Sequence, residues 1–307
     1  MATFGKMLSH HVFLSACVCA SALPAHEGWR QTDTGLHAEL QVLELHHGQI
    51  QIPKNITHIV IEIGANGHHW LWNEPLPVAV PGVPLGKLIR DLPNVLLVSF
   101  EPLLDKYAGY VSHQSVGERP MKPGWSVPGR AIVLPFAVGS PEGSTTFYVG
   151  AMDGCSSLLP VSQKELAGPW SGANWFMFRH CSRVGGAHRR VPVVSLDTVV
   201  DRWLGGRSVS FVKVDAQGYD LSVAQSGRAV AEKLTALQLE ITADHCHAGY
   251  VGATRCSETV QGMAELGFDT RANCTETRRF RNKGCASDFM FFRKGAEPLD
   301  GMPMPPG

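Results

Sequence analysis

The chain alternates between short apolar runs and longer amphipathic segments. "HIVIEI" (58–63), "NVLLVSF" (94–100), "AIVLPFAV" (131–138), "SVSFVKVD" (208–215) and "TALQLEI" (235–241) are rich in β-branched and large apolar residues. Turn-forming residues bound most of them, which is the pattern of strands buried on both faces. Between them, "VPLGKLIRDL" (83–92), "LLDKYAGYV" (103–111), "DLSVAQSGRAVAEKL" (220–234) and "SETVQGMAELG" (257–267) repeat apolar positions at helical spacing, the last with Gly267 as its stop. "GSTTFYVG" (143–150) alternates and predicts an antiparallel strand, "DFMFFRK" (288–294) predicts a late strand, and the mixed pattern of 26–50 fits helix or strand. Strands alternating with helices predict an α/β domain, a mostly parallel sheet covered on both faces. The stretches 112–130 and 150–190 are rich in Gly, Pro, Ser and Trp. They fall on the side where the strand carboxyl ends emerge, where long loops shape binding sites.

The chain ends differ from this pattern. Lys6 precedes "VFLSACVCASAL", and small residues follow at Ala20, Ser21 and Ala22. This reads as a secretory signal peptide over residues 1–25, with a disordered apolar N-terminus or a plastid-type presequence as alternatives. The run is shorter than the ~20 residues a spanning helix needs. One domain is expected over 26–296 and a disordered tail over 297–307. If the leader is removed, Cys17 and Cys19 leave with it, and six of the eight cysteines remain. An even number in an oxidising compartment points to disulfides. Chain proximity favours Cys246–Cys256 and Cys274–Cys285, with Cys155–Cys181 as the remainder. The sequons Asn55-Ile-Thr and Asn273-Cys-Thr fit the same lumenal or secreted setting. Formal net charge is zero, so no basic field exists to hold a nucleic acid backbone.

The first strand runs into "EIGANG", and glycines at a strand's carboxyl end let backbone N–H groups approach a ligand closely. A dinucleotide fingerprint would need glycines at 64, 66 and 69, where the chain has Gly64, Asn66 and His69. The second strand ends in "SFEP", which puts Glu101 where a carboxylate accepts hydrogen bonds from a ribose diol. Glu62, Gly64, Gly67 and Glu101 thus predict an acidic site suited to a positively charged nucleoside without phosphate, which describes S-adenosylmethionine. Each feature taken singly also fits an ordinary turn or a solvated strand end.

With these motifs, the sequence resembles the FkbM-type family of S-adenosylmethionine-dependent methyltransferases. The resemblance runs in order through "IEIGANG", "LVSFEP", "PFAVGSPEGSTTFYV", "VPVVSLDTVVDRW", "FVKVDAQGYDLSVAQSG", "LQLEI" and "SDFMFFRK". It implies a class I methyltransferase fold: a Rossmann-like, doubly wound, seven-stranded sheet with an antiparallel last strand. It also implies O-methylation of a hydroxyl, with a carbohydrate or related small molecule or glycan as acceptor. In the family the G-x-N-G turn holds the methionine end, which falls here on Gly64, Ala65, Asn66 and Gly67. The acid after the second strand binds ribose and falls on Glu101, and the segment lining adenine falls near Ala137 and Val138. The usual K-I-D-x-E-G-x-E motif reads "KVDAQGYD" (213–220), with Gln217 and Asp220 in place of the two glutamates. Gln217 keeps hydrogen-bonding capacity and loses charge, so a fold retained for binding without turnover is the alternative.

For the proton that must leave the acceptor, Asp215 at the end of the fourth strand is the first candidate. Helix capping is its structural alternative. Glu240 ends the fifth strand toward the same crevice, and Lys213 fits an ion pair with either. The loop "ITADHCHAG" (241–249) offers His245 as a base, with Asp244 and His247 beside it. Cys246 there is better read as a disulfide partner, and no metal site is assigned. His68, His69, Trp170, Trp175 and the basic run "RRFRNK" (278–283) are possible liners of the mouth, each with a packing or solvated alternative. The oligomeric state is left open.

Overall fold

The computed structural model describes residues 28–32, 35–39, 45–46, 48–66, 70–73, 75–76, 87–111, 130–150, 154–162, 187–246, 249–275 and 285–295. Segments 28–50 form short antiparallel pairs, β1 (Gly28–Thr32) with β2 (Gly35–Glu39) and β3 (Leu45–His46) with β4 (Gln49–Ile50). The strand reading of the mixed N-terminal pattern therefore holds there. The main sheet starts with β5 (His58–Ile63), β6 (Val95–Phe100) and β7 (Ala131–Leu134). It resumes with β11 (Phe211–Val214), β12 (Ala236–Thr242), β13 (Phe268–Asp269) and β14 (Ala286–Arg293). Its seven strands lie in the order β13-β14-β12-β11-β5-β6-β7. Neighbours from β12 to β7 run parallel, and β14 is antiparallel to β12 and β13. The predicted seven-stranded α/β sheet with an antiparallel last strand is what the chain forms.

The chain steps outward from β5 to β7 and returns to lay β11 against the other side of β5. That reversal opens a crevice at the carboxyl ends of β5 and β11. Alternate residues feed two cores. Ile59, Ile61, Ile63, Val212 and Val214 pack with Val199 and Val200 of a π-type turn (Thr198–Trp203), with Val223 of α3 (Asp220–Gln225), and with Met263 of α4 (Cys256–Glu265). Val60, Leu97, Phe211 and Ala236 pack on the other face with Leu71 and Trp72 of α1 (Trp70–Asn73) and with Ile89. Helix α2 (Leu104–Val111) follows β6.

Several elements depart from the pattern reading. The strand at 131–138 divides after Leu134. Ala137–Val138 (β8) leaves the main sheet for a second one, with Gly143–Tyr148 (β9) and His188–Val194 (β10). The helix expected over 220–234 is broken into α3 and a 3₁₀ segment, Arg228–Lys233. At the break the Ser226 hydroxyl donates to the Val223 carbonyl (2.7 Å), and a Cβ on Gly227 would lie 2.8 Å from the Leu196 side chain. Of the helix expected over 83–92, the described part holds only a 3₁₀ turn, Ile89–Asp91. The two-residue β13 is too short to announce itself by alternation.

The disulfide pairing also needs correction. Cys246 bonds Cys285 and Cys256 bonds Cys274. Sheet geometry overrides chain proximity here. Thr242 of β12 pairs with Ala286 of β14, and the Ala243 N–H donates to the Cys285 carbonyl (2.8 Å), so the cysteines just beyond the paired ends meet. Cys155 is disulfide-bonded as well. The leader, the tail, Gly67, His68, His69, Trp170, Trp175, Cys181, His247 and 278–283 lie outside the described residues.

Candidate active site

One end of the crevice is built from backbone donors around a single carboxylate. β5 hands over to Gly64 at φ +83°. A Cβ there would sit 2.0 Å from the Asp215 carbonyl oxygen, so only glycine allows the two strand ends to cross so closely. The Gly64 and Ala65 N–H groups donate to the Phe100 carbonyl (3.2 and 3.1 Å), which curls the turn over the end of β6. The Asn66 N–H then donates to Glu101 Oε2 (2.8 Å), and the Leu103 N–H to Glu101 Oε1 (2.9 Å). Lys106, in the first turn of α2, donates from Nζ to Asn66 Oδ1. Glu101 is 3% exposed. Burial pushes its carboxyl up to about 7, against the pull of the Leu103 N–H, the Lys106 charge and the Asn66 N–H. Phe136, Ala137, Val138, Phe147 and Leu158 supply apolar wall beside it.

The other end is built from side chains. Asp215 takes a hydrogen bond from Lys213 Nζ on Oδ2 (3.2 Å) and from Gln217 Nε2 on Oδ1 (2.8 Å). Gln217 Nε2 also donates to Glu240 Oε2 (3.2 Å), and the Tyr250 hydroxyl donates toward Gln217 Oε1 (3.0 Å). Burial and the neighbouring Asp215, Asp220 and Asp288 hold the Glu240 carboxyl well above the usual carboxylate range. Lys213 loses solvation, but Asp215, Glu62 and Asp288 more than offset this and keep its pKa above the ordinary lysine value. Asp215 does not cap the following helix, whose cap position is Tyr219 without a side-chain cap bond. Asp220 instead braces the turn before it, its oxygens accepting from the Ala216 and Gly218 N–H groups (3.3 and 3.1 Å). Burial, then Asp215, raises the Asp220 carboxyl to about 7.

The crevice brings together Gly64, Asn66, Glu101, Ala137, Val138 and Asp215 among its lining residues. Glu240 joins through Gln217. Glu62 lies behind the wall, fully buried. It accepts from the Leu71 N–H (3.2 Å) and the Ser99 hydroxyl (3.1 Å), so it anchors the start of α1 to the sheet. Ala65 is equally buried and offers only backbone. His245 is exposed on the loop after β12 and is not among the crevice lining. Its neighbour Asp244 accepts from the Ser257 N–H (2.9 Å) and hydroxyl (2.5 Å) at the start of α4. Sequence reasoning missed Lys106, Ser157 and Tyr250. Lys106 carried a signal, a cation early in the helical segment that follows Glu101. The other two carried none, because the fold joins them to the site across long stretches of chain.

The methyltransferase FkbM domain model matches residues 87–269. This chain belongs to the FkbM methyltransferase family. It is accordingly an S-adenosylmethionine-dependent methyltransferase. No curated protein and no solved structure matches it. The family match begins after β5, so the "EIGANG" turn lies outside it. The fold supplies the connection, by laying that turn on Glu101 and Asp215.

Proposed function

We propose that this enzyme methylates a hydroxyl on a carbohydrate or a related small-molecule or glycan acceptor, in the secretory lumen or after secretion. The carrying observation is the two-ended crevice, with a buried carboxylate at one end and a hydrogen-bonded carboxylate pair at the other. The fit to the cofactor is supported at Glu101. Each of its oxygens accepts one backbone N–H, and a carboxylate has capacity left for two hydroxyls of a ribose. Gly64, Ala65, Asn66 and Gly67 would hold the methionine end, and Ala137 and Val138 the adenine, beside Phe136.

S-adenosylmethionine, when bound, supplies a methyl group on a sulfonium leaving group. The protein's part is to align the acceptor oxygen, exclude water and take a proton. Asp215, with its side chain one-third exposed at the crevice, orients the acceptor hydroxyl. Lys213 and Gln217 hold both of its oxygens, which fixes the direction in which it can face an acceptor. Glu240, whose proton affinity burial and the neighbouring carboxylates raise, is the proton acceptor of this reading. His245 receives no step. The hydroxyl preference rests on the family resemblance. The extracytoplasmic setting is supported by the disulfides.

A screen of mono- and oligosaccharides against matched amines, reading S-adenosylhomocysteine release, tests the proposal. Turnover on a hydroxyl acceptor should fall about 100-fold or more in Asp215→Asn, with S-adenosylhomocysteine affinity kept within about threefold. Turnover confined to amines would overturn the acceptor assignment.

A further inference from the structure

We infer that Gln217 is a positioning residue, whose amide holds Asp215 and Glu240 as one pair and ties that pair to the loop 154–158 walling the cofactor crevice. The inference rests on the methyl-transfer reading only for what the pair does, not for the geometry that forms it.

The amide is used at every atom. Both Nε2 hydrogens have carboxylate acceptors, Asp215 Oδ1 at 2.8 Å and Glu240 Oε2 at 3.2 Å, while Oε1 faces the Tyr250 hydroxyl at 3.0 Å. This fixes which end of the amide is which, because a flipped amide would set its oxygen against two carboxylates. Gln217 adopts φ +52°, a left-handed conformation that costs a non-glycine residue about 1 kcal/mol or more. The backbone around it is held at several points. The Ser157 hydroxyl is shared between the Gln217 and Ala216 carbonyls (2.9 and 3.2 Å), and Asp220 takes the N–H groups on either side. A Cβ on Gly218 would lie 2.9 Å from Ala253. The turn is thus built to aim this side chain back under Asp215.

The same contacts reach the wall of the crevice. The Tyr250 hydroxyl shares its proton between Gln217 Oε1 and the Cys155 carbonyl (3.1 Å). The Ser157 oxygen accepts from the Leu159 N–H (3.0 Å). Gly154, at φ +88°, brings this loop against Asn66, whose Nδ2 would lie 3.1 Å from a Cβ there. The wall therefore touches the Gly64–Asn66 turn on one side and, on the other, Gln217 and Tyr250, which hold the carboxylate pair. A neutral donor is what the pair needs. Glu240 already faces Asp215, Asp220 and Asp288, with Lys213 as the offsetting cation and Tyr250 beside it. The glutamate of the related motif, placed here, would be a further carboxylate, able to donate only while it keeps a proton.

The test is a ¹³C NMR titration of side-chain carboxyls in the full chain, with Asp215 and Glu240 assigned through Asp215→Asn and Glu240→Gln. It needs neither acceptor nor turnover. Gln217→Met keeps the length and removes the hydrogen bonds, so Glu240 should titrate about one pH unit higher, a tenfold change in proton affinity. Amide exchange at Ser157 and Leu159 should accelerate in the same variant. Tyr250→Phe leaves the amide but loosens it, and should give a smaller shift in the same direction. It also stands as the test if Gln217→Met does not fold. Unmoved Glu240 and Asp215 midpoints in the folded variants would overturn the inference. S-adenosylhomocysteine titration of the same samples reports separately on the cofactor reading.

Discussion

The two ends of the crevice are built on opposite plans. At Glu101 the carboxylate is held by main chain, through the Asn66 and Leu103 N–H groups, and both donors come from turns next to a strand end. At Asp215 the holding groups are side chains from β11, the following turn, β12 and the segment at Tyr250. Main-chain donors have little freedom once the turn forms, so the Glu101 end is rigid by construction. The Asp215 end depends on rotamers of Lys, Gln and Tyr, and stays ordered because those groups are buried and mutually bonded. The first plan suits a group that every catalytic cycle must bind in the same way. The second, at the end proposed to face the acceptor, can change by side-chain substitution without disturbing the first.

The two plans meet directly where Gly64 lies against the Asp215 carbonyl, and breaking that contact should have the largest effect. Gly64→Ala must either shift β11 or distort the turn. It also puts a side chain at positive φ. A loss of about 4 kcal/mol in urea unfolding is expected, from overpacking and left-handed strain together, with S-adenosylhomocysteine affinity falling in parallel. An Ala variant of native stability would show that the two ends are not coupled through this crossing.

A smaller effect should separate the shell of the Asp215 end from the Glu101 end. The Cys256–Cys274 bond closes a loop of sequence separation 18, for which chain entropy gives about 3 kcal/mol. Cys256→Ser with Cys274→Ser should lose about that much stability while leaving S-adenosylhomocysteine affinity within about twofold. Lost cofactor affinity at unchanged stability would place the bond in the binding site instead of its shell.

The same contrast explains what the sequence could be made to say. The Glu101 end is encoded by two contiguous stretches, "EIGANG" and "SFEP", each next to an apolar strand whose type is unmistakable. Order along the chain was therefore enough to bring Gly64, Asn66 and Glu101 together. Glu62 was misplaced because alternation fixes only that it faces opposite to Ile61 and Ile63, and here that face is interior. At the Asp215 end, two of the partners of Gln217, Glu240 and Tyr250, are 23 and 33 residues away. The donor role of its amide follows from a positive φ that no propensity announces for glutamine. The disulfides were mispaired for a related reason. Nearness along the chain was a poor guide where two antiparallel strands bring Cys246 and Cys285 face to face across a separation of 39.

The most direct test of the account is isothermal titration of the purified protein with S-adenosylhomocysteine between pH 6 and 8, for the wild type and Glu101→Ala. If Glu101 holds the ribose as proposed, it must be ionised to accept both hydroxyls, and burial raises its carboxyl to about 7. Affinity should therefore be weakest at pH 6, where the carboxyl is mostly protonated, and should strengthen several-fold as pH rises through 7. Glu101→Ala should bind about 100-fold more weakly, as expected for two charged hydrogen bonds, with no pH dependence across this range. Equal binding by the two proteins at every pH, or no binding by folded wild type, would contradict the account.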